Sequence, residues 1–272
     1  MSGEKFVIVR EGNKTVKKTE AEFADLFLDY AVLSSNIYWP NSSAPEFIPV
    51  NGWQMLNEGS LPPVPPPKFK SQKNIKGLKY QVWYSSNNGK TRAALVFKGT
   101  TFTFLNDWIC NLRWATLNPV GKRIFYYFLW DYYHQVQVVT PLLIENTQKM
   151  LPGHTIEFIA TGHSLGGGLA QQAAYSCDHI KKVIVFDPSP VTGYKDIKKE
   201  LRVLYEKGID TSRVYHKGEI LSYIRNFIRV FILPLSTINP SIKEYQYSFL
   251  NGSAIKKHAI RDFALYLSGK KV

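Results

Sequence analysis

The chain has 272 residues, enough to bury one large hydrophobic core, and a single α/β domain spanning 1–272 is the expectation. Hydrophobic residues at 44% and charged residues at 20% give the balance of an ordinary soluble protein, whereas aromatics at 14% are plentiful enough that some Tyr and Phe rings must stay partly exposed. A net charge of +13 suits an anionic lipid surface. It does not argue for nucleic acid, because the lysines are spread along the chain with no recognition motif beside them.

The first residues, Met1 to Glu11, lack the long apolar region of a secretory signal peptide, so cytosolic synthesis without Sec export is expected, with peripheral membrane contact or non-Sec export left open. No run of eighteen uncharged apolar residues occurs. Cys110 and Cys177 make neither a disulfide framework nor a metal spacing, and buried free thiols are expected.

After an N-terminal arm over 1–18, Thr19-Glu-Ala-Glu22 reads as a capping box. It opens a helix whose apolar positions Phe23, Leu26, Phe27, Tyr30 and Ala31 follow the 3.6-residue period. Residues 35–76 are turn-rich and contain Pro62-Pro-Val-Pro-Pro-Pro67, a stiff irregular connection. Tyr80–Tyr84 and Arg92–Phe97 form a hairpin turned at Asn88-Gly89 and leading into Lys98-Gly99-Thr100. A helix is expected from Asp107, and Ile124 to Met150 has helical spacing interrupted at Pro141.

Thr155 to Cys177 organises the rest. A short β-branched and aromatic run meets Gly162-His163-Ser164-Leu165-Gly166, and an Ala, Leu and Gln run with good helix propensity follows. The G-x-S-x-G pattern alone is weak, but strand, sharp turn and helix in this order are the setting of a nucleophile elbow. Beyond it, Lys182–Phe186 and Arg213–His216 read as strands, and Asp196 to Lys207 as a charged surface helix. The recurring strand-helix order implies a parallel sheet covered on both faces. Residues 220–240 are the most apolar stretch, read as a bent core helix or as a lid or interfacial helix. Lys257-His258 precedes a final amphipathic helix carrying Ile260, Phe263, Ala264 and Leu267.

An activated serine needs a base, and the base needs a third group to hold its tautomer. In the elbow architecture the chain order is Ser, acid, His, which leaves His179, His216 and His258. His179 ends the elbow helix roughly 20 Å away at ~1.5 Å per residue, and His216 belongs to a strand. His258, on a turn, is the base of choice, while His163 is expected to point away from the nucleophile. Two carboxylates end strands after the elbow: Glu219 is favoured as the acid and Asp187 is the alternative. The oxyanion donors expected are the backbone N–H of Leu165 and a group from Gly99-Thr100.

Val96-Phe97-Lys98-Gly99-Thr100, then Asp107-Trp108 and Asn111, then Thr161-Gly-His-Ser-Leu-Gly-Gly-Gly-Leu-Ala170 together resemble the class 3 lipase family, over most of the chain from about Asp25. The resemblance implies an α/β-hydrolase fold and hydrolysis of acyl esters in triglycerides or phospholipids by a Ser-acid-His triad, with neither metal nor organic cofactor. It places Ser164 as nucleophile and Thr100 and Leu165 as oxyanion donors. Val214-Tyr-His-Lys-Gly-Glu219 matches the stretch that carries the family's acid, with Glu in place of Asp; Asp187 falls on a non-catalytic stretch. Lys98 in place of Arg, and the lack of a His-x-Gly-Phe after Lys122, depart from the pattern in a way that resembles bacterial lipase-like toxins and phospholipases. Two rival readings remain at this level: a soluble small-ester or thioester hydrolase, and a catalytically idle lipid- or protein-binding member of the fold.

Overall fold

Successive strand residues face opposite sides of a sheet, so a strand apolar on both sides needs a cover on each. In β6 (Lys90–Phe97), Ala93, Leu95 and Phe97 enter one apolar cluster, and Ala94 and Val96 enter another. The computed structural model, which describes residues 5–56, 73–74, 78–87, 89–99, 129–130, 132–190, 192–194, 197–222 and 241–270, shows both covers.

The other strands are β1 (Phe6–Glu11), β2 (Lys14–Thr19), β3 (Gln54–Met55), β4 (Lys73–Asn74), β5 (Tyr80–Asn87), β7 (Leu129–Trp130), β8 (Ile156–His163), β9 (Ile180–Phe186), β10 (Asp210–His216) and β11 (Ile242–Tyr247). Nine of them form one sheet in the order β2-β1-β11-β10-β9-β8-β6-β5-β3, while β4 and β7 make a separate parallel pair. From β6 to β11 neighbouring strands are parallel, and the two flanks are antiparallel. Because the parallel strands are laid down in one direction, right-handed crossovers put their connecting helices on a single face.

That face carries α2 (Tyr132–Met150), α3 (Leu165–Ser176) and α4 (Lys199–Glu206). The opposite face is covered by α1 (Ala21–Asn36) and α5 (Ile260–Leu267), the first and last helices of the described chain, packed against each other. A mostly parallel sheet with helices on both faces and a strand-serine-helix turn at its centre is the α/β-hydrolase fold.

Several expectations shift at their edges. The Glu half of the capping box forms, with the Thr19 N–H donating to Glu22 Oε1 at 3.3 Å, but Leu26 lies exposed at the start of the apolar stripe. The last turns of α1 are instead buried all round, and the helix runs through Asn36, two residues into the stretch read as irregular. Asn36 then holds the following loop by exchanging hydrogen bonds with the backbone of Ile48 at 2.8 and 3.0 Å. The arm over 1–18 supplies β1 and β2, which extend the sheet past β11. The helix expected from Ile124 starts at Tyr132 and passes through Pro141 without ending there.

The β5–β6 hairpin closes Asn87 on Lys90, with Gly89 at φ +73°, the conformation a tight hairpin turn demands. Strand β11 was not anticipated, although Ile242, Glu244, Tyr245 and Tyr247 are buried along it. The Pro-rich run at 62–67, the helix expected from Asp107, Cys110 and residues 223–240 lie outside the described residues; Ile220 to Ser222 begin a helical turn. Among the described residues no helix is long and apolar enough to cross a membrane.

Candidate active site

Ser164 sits where β8 stops and α3 begins, at φ +58° and ψ −124°, a backbone conformation that L-residues with a Cβ adopt only under constraint. The constraint is a set of backbone bonds. The Ser164 N–H donates to the Phe186 carbonyl at 3.0 Å, and its own carbonyl accepts from the N–H groups of Gly167 at 3.0 Å and Ser189 at 2.9 Å. The neighbouring glycines answer to close approach: a Cβ on Gly162 would lie 2.5 Å from the Gly166 oxygen, and one on Gly166 would collide with the Phe97 carbonyl at the end of β6. Gly99, next along that loop, lies against the His163 carbonyl and the Tyr38 hydroxyl just as closely.

Glu219 and His258, the residues expected as acid and base, come from the far ends of two later connections. After β10, Gly218 at φ +75° turns the chain so that Glu219 points inward and is fully buried. Its Oε2 accepts the Leu221 N–H at 2.7 Å and lies 2.8 Å from His258 Nδ1. His258 ends a 3₁₀ turn (Lys256–His258) ahead of α5, and its ring is buried. A carboxylate on Nδ1 sets the tautomer with the proton there, which leaves Nε2 as the acceptor.

His163 does not stand clear of this arrangement. Its ring lies 4.5 Å from the ring of His258, tilted by 47°, and its Nδ1 is 3.2 Å from the Tyr38 hydroxyl. The strand period is the reason: Thr161, two residues earlier, bonds Ser34 of α1 at 3.1 Å, so His163 faces the same α1 side, where Tyr38 and His258 lie. Burial pushes the His163 pKa well below the ordinary imidazole value, and the nearby His258 pushes it the same way, so the ring is neutral at pH 7.

Asp187 follows β9 at φ +40°, deeply buried, with Oδ1 accepting the His216 N–H at 3.0 Å and its own N–H donating to the Val214 carbonyl at 2.8 Å. A carboxylate oxygen of Asp187 and a ring nitrogen of each of His163 and His258 lie within 4.8 Å of one another. Two carboxylates therefore converge beside His258, and the hydrogen bond to its Nδ1 is made by Glu219.

The other two candidate histidines, His216 and His179, are engaged elsewhere. His216 has Nδ1 at 2.9 Å from the Lys217 carbonyl, while Nε2 accepts the N–H groups of Phe249 at 3.0 Å and Leu250 at 2.7 Å. Burial lowers its pKa, and the ring ties β10 to the segment after β11. His179, half exposed, pairs with Asp178 at 2.9 Å. Cys177 is a free, buried thiol whose pKa burial raises. Leu165 is fully buried at the start of α3, and Thr100 lies outside the described residues. Sequence reasoning missed Tyr38, which carries no motif and is identified only by its contact with His163.

No family model and no curated protein matches the chain. Among solved structures, Rhizomucor miehei triacylglyceride lipase is similar at 15% identity and TM-score 0.44, covering 79% of this chain and 77% of its own. Lip2 lipase from Yarrowia lipolytica is similar at 15% identity and TM-score 0.40, with 79% and 76% covered. Acetyl xylan esterase 1 from Thermoanaerobacterium sp. JW/SL YS485 follows at 11% identity and TM-score 0.30, with 90% and 92% covered.

Proposed function

We propose that the chain is a serine hydrolase that cleaves acyl esters of lipids, with lipase or phospholipase A1-like activity. The observation that carries this reading is the 2.8 Å bond between Glu219 and His258 Nδ1, made by a ring that packs 4.5 Å from His163, the residue before a buried serine held at φ +58°. A structural His-Glu pair has no need of a strained serine in the adjoining strand-to-helix turn; a hydrolytic site needs both.

In this mechanism Ser164 Oγ attacks the ester carbonyl carbon, and its proton passes to His258 Nε2. Glu219 stays ionised and balances the imidazolium. The tetrahedral oxyanion is met by the Leu165 N–H at the start of α3 and by Thr100, each donor contributing roughly 10²–10³ in rate. Collapse expels the alcohol, which takes the proton from His258 and leaves the acyl group on Ser164. Water, deprotonated by the same imidazole, then releases the fatty acid. Neither a metal nor an organic cofactor takes part. The net charge of +13 and the apolar stretch over 220–240 support a lipid substrate and contact with an anionic membrane surface.

A fluorophosphonate probe is the direct test, because only a serine beside a working base reacts with it. Wild-type protein should be labelled stoichiometrically and should hydrolyse micellar phospholipid faster than the same ester below its micellar concentration. Ser164→Ala should lose both signals with unchanged thermal unfolding. Undiminished labelling in Ser164→Ala, or none in the wild type, would defeat the proposal.

A further inference from the structure

The geometry points to a divalent-cation site built from His163, Asp187 and His258, of the zinc class, whose occupation takes His258 out of proton transfer. That consequence for activity rests on the hydrolase reading above; the cation site does not. The three residues are buried, and one ligand atom of each lies within 4.8 Å of the others, so a single ion between them would need shifts of only a fraction of that distance to bind all three. Two imidazoles and a carboxylate form a donor set that tetrahedral zinc accepts, with a fourth position left for water or another oxygen.

Two further observations point to a ligand. Among the described residues, the buried His163 Nε2 makes no hydrogen bond of good geometry, although the His258 backbone lies close enough to act on the ring, and a buried nitrogen left so is poised for a ligand. In addition, one nitrogen of each ring is already held, which leaves Nε2 of each as the atom for an ion: Glu219 Oε2 is 2.8 Å from His258 Nδ1, and the Tyr38 hydroxyl is 3.2 Å from His163 Nδ1. Metal-binding histidines are fixed in this manner, with the rear nitrogen bonded to a carboxylate, carbonyl or hydroxyl and the front one turned to the ion. Once Nε2 of His258 donates its lone pair to a cation it cannot accept the Ser164 proton, so the bound state is inactive and reversible by a chelator.

A second cluster among the described residues supplies the control. Cys177, Asp178 and His179 are consecutive residues, two of them exposed, and they offer a thiolate that the buried trio lacks. The purified 272-residue chain, freed of metal, is titrated with Zn²⁺ by calorimetry and with Co²⁺ by visible absorption. The expected result is one equivalent bound in the wild type, in Ser164→Ala and in His179→Gln, with cobalt bands characteristic of nitrogen and oxygen donors. Binding should weaken at least tenfold in Asp187→Asn and His163→Gln, and measurably in Tyr38→Phe, the mildest of the three and the one to rely on should either of the others fail to fold. A cobalt spectrum dominated by thiolate charge transfer, loss of binding in His179→Gln, or no saturable one-to-one binding would overturn the site. With zinc bound, fluorophosphonate labelling of Ser164 should fall at least tenfold and return on chelation; full labelling of the zinc-bound protein would overturn the inactive state. Labelling absent even from chelator-treated protein would instead contradict the hydrolase proposal, and the titration alone would decide the cation site.

Discussion

At the scale of single residues, the two carboxylates near His258 make different demands. Glu219 Oε2 bonds the imidazole, while Asp187 Oδ1 is occupied by the His216 N–H. Glu219→Gln keeps the size and removes the charge that balances an imidazolium. It should lower kcat about 10³–10⁴-fold with KM little changed, as a wrong tautomer does in other triads. Asp187→Asn should cost less activity, and its loss should appear first as a lower unfolding temperature, because the anchor between β9 and β10 weakens. Steady-state kinetics and thermal unfolding on the two variants separate the roles, and the reverse order of effects on kcat would make Asp187 the acid.

At the scale of elements, the elbow packs tightly because glycines on α3 let its backbone come close to the segments after β6 and β9. Gly166 on α3 rides against the Phe97 carbonyl of β6, and Gly167 against Pro188 after β9. A methyl group on Gly166 has backbone in its way, not a flexible side chain, so α3 must lift from the sheet. Gly166→Ala should destabilise the fold by at least about 3 kcal/mol, read as a lower denaturation midpoint, and should abolish probe labelling even in protein that remains folded. An alanine variant as stable and as reactive as the parent would show that the contact is not tight. By contrast α4 buries none of its residues and exposes Leu201, Val203 and Leu204, so its role in holding the fold is small.

At the scale of the whole molecule, two buried neutral histidines couple stability to pH. The folded pKa values of His163 and His216 lie below the ordinary 6.5, so the unfolded chain takes up protons first as pH falls. Their contribution is present above about pH 6.5 and is lost as pH drops towards the folded values, with a slope of up to about 1.4 kcal/mol per pH unit for a fully buried ring. The denaturation midpoint should therefore fall between pH 7 and pH 5, before most carboxylates titrate, and less steeply in His163→Gln. A midpoint independent of pH in that window would contradict it. The charge of +13 acts over a longer range: association with vesicles containing anionic phospholipid should weaken at least tenfold between about 50 and 500 mM salt, measured by co-sedimentation. Binding insensitive to salt would show that the apolar stretch, not the charge, carries the contact.

Much of this molecule can be read from short-range pattern. The period-two strands, the two-residue turn at Asn88-Gly89 and the small residues around Ser164 are local requirements, and local chemistry states them openly: a tight turn needs glycine, and a strand buried on both faces needs β-branched residues. Chain order after the elbow favoured His258 as base and left Glu219 and Asp187 both open as the acid; only the fold shows that the bond to His258 Nδ1 is made by Glu219. What pattern could not supply was distance between segments. That Tyr38 stands behind His163, that His163 faces His258, that Asp187 lies beside both, and that β1 and β2 close the sheet beyond β11 are decided only when strands pair and both faces are covered. Those contacts join residues tens to hundreds of positions apart, several depend on the side to which a strand residue points, and strand pairing with the packing of α1 and α5 against the sheet determines them.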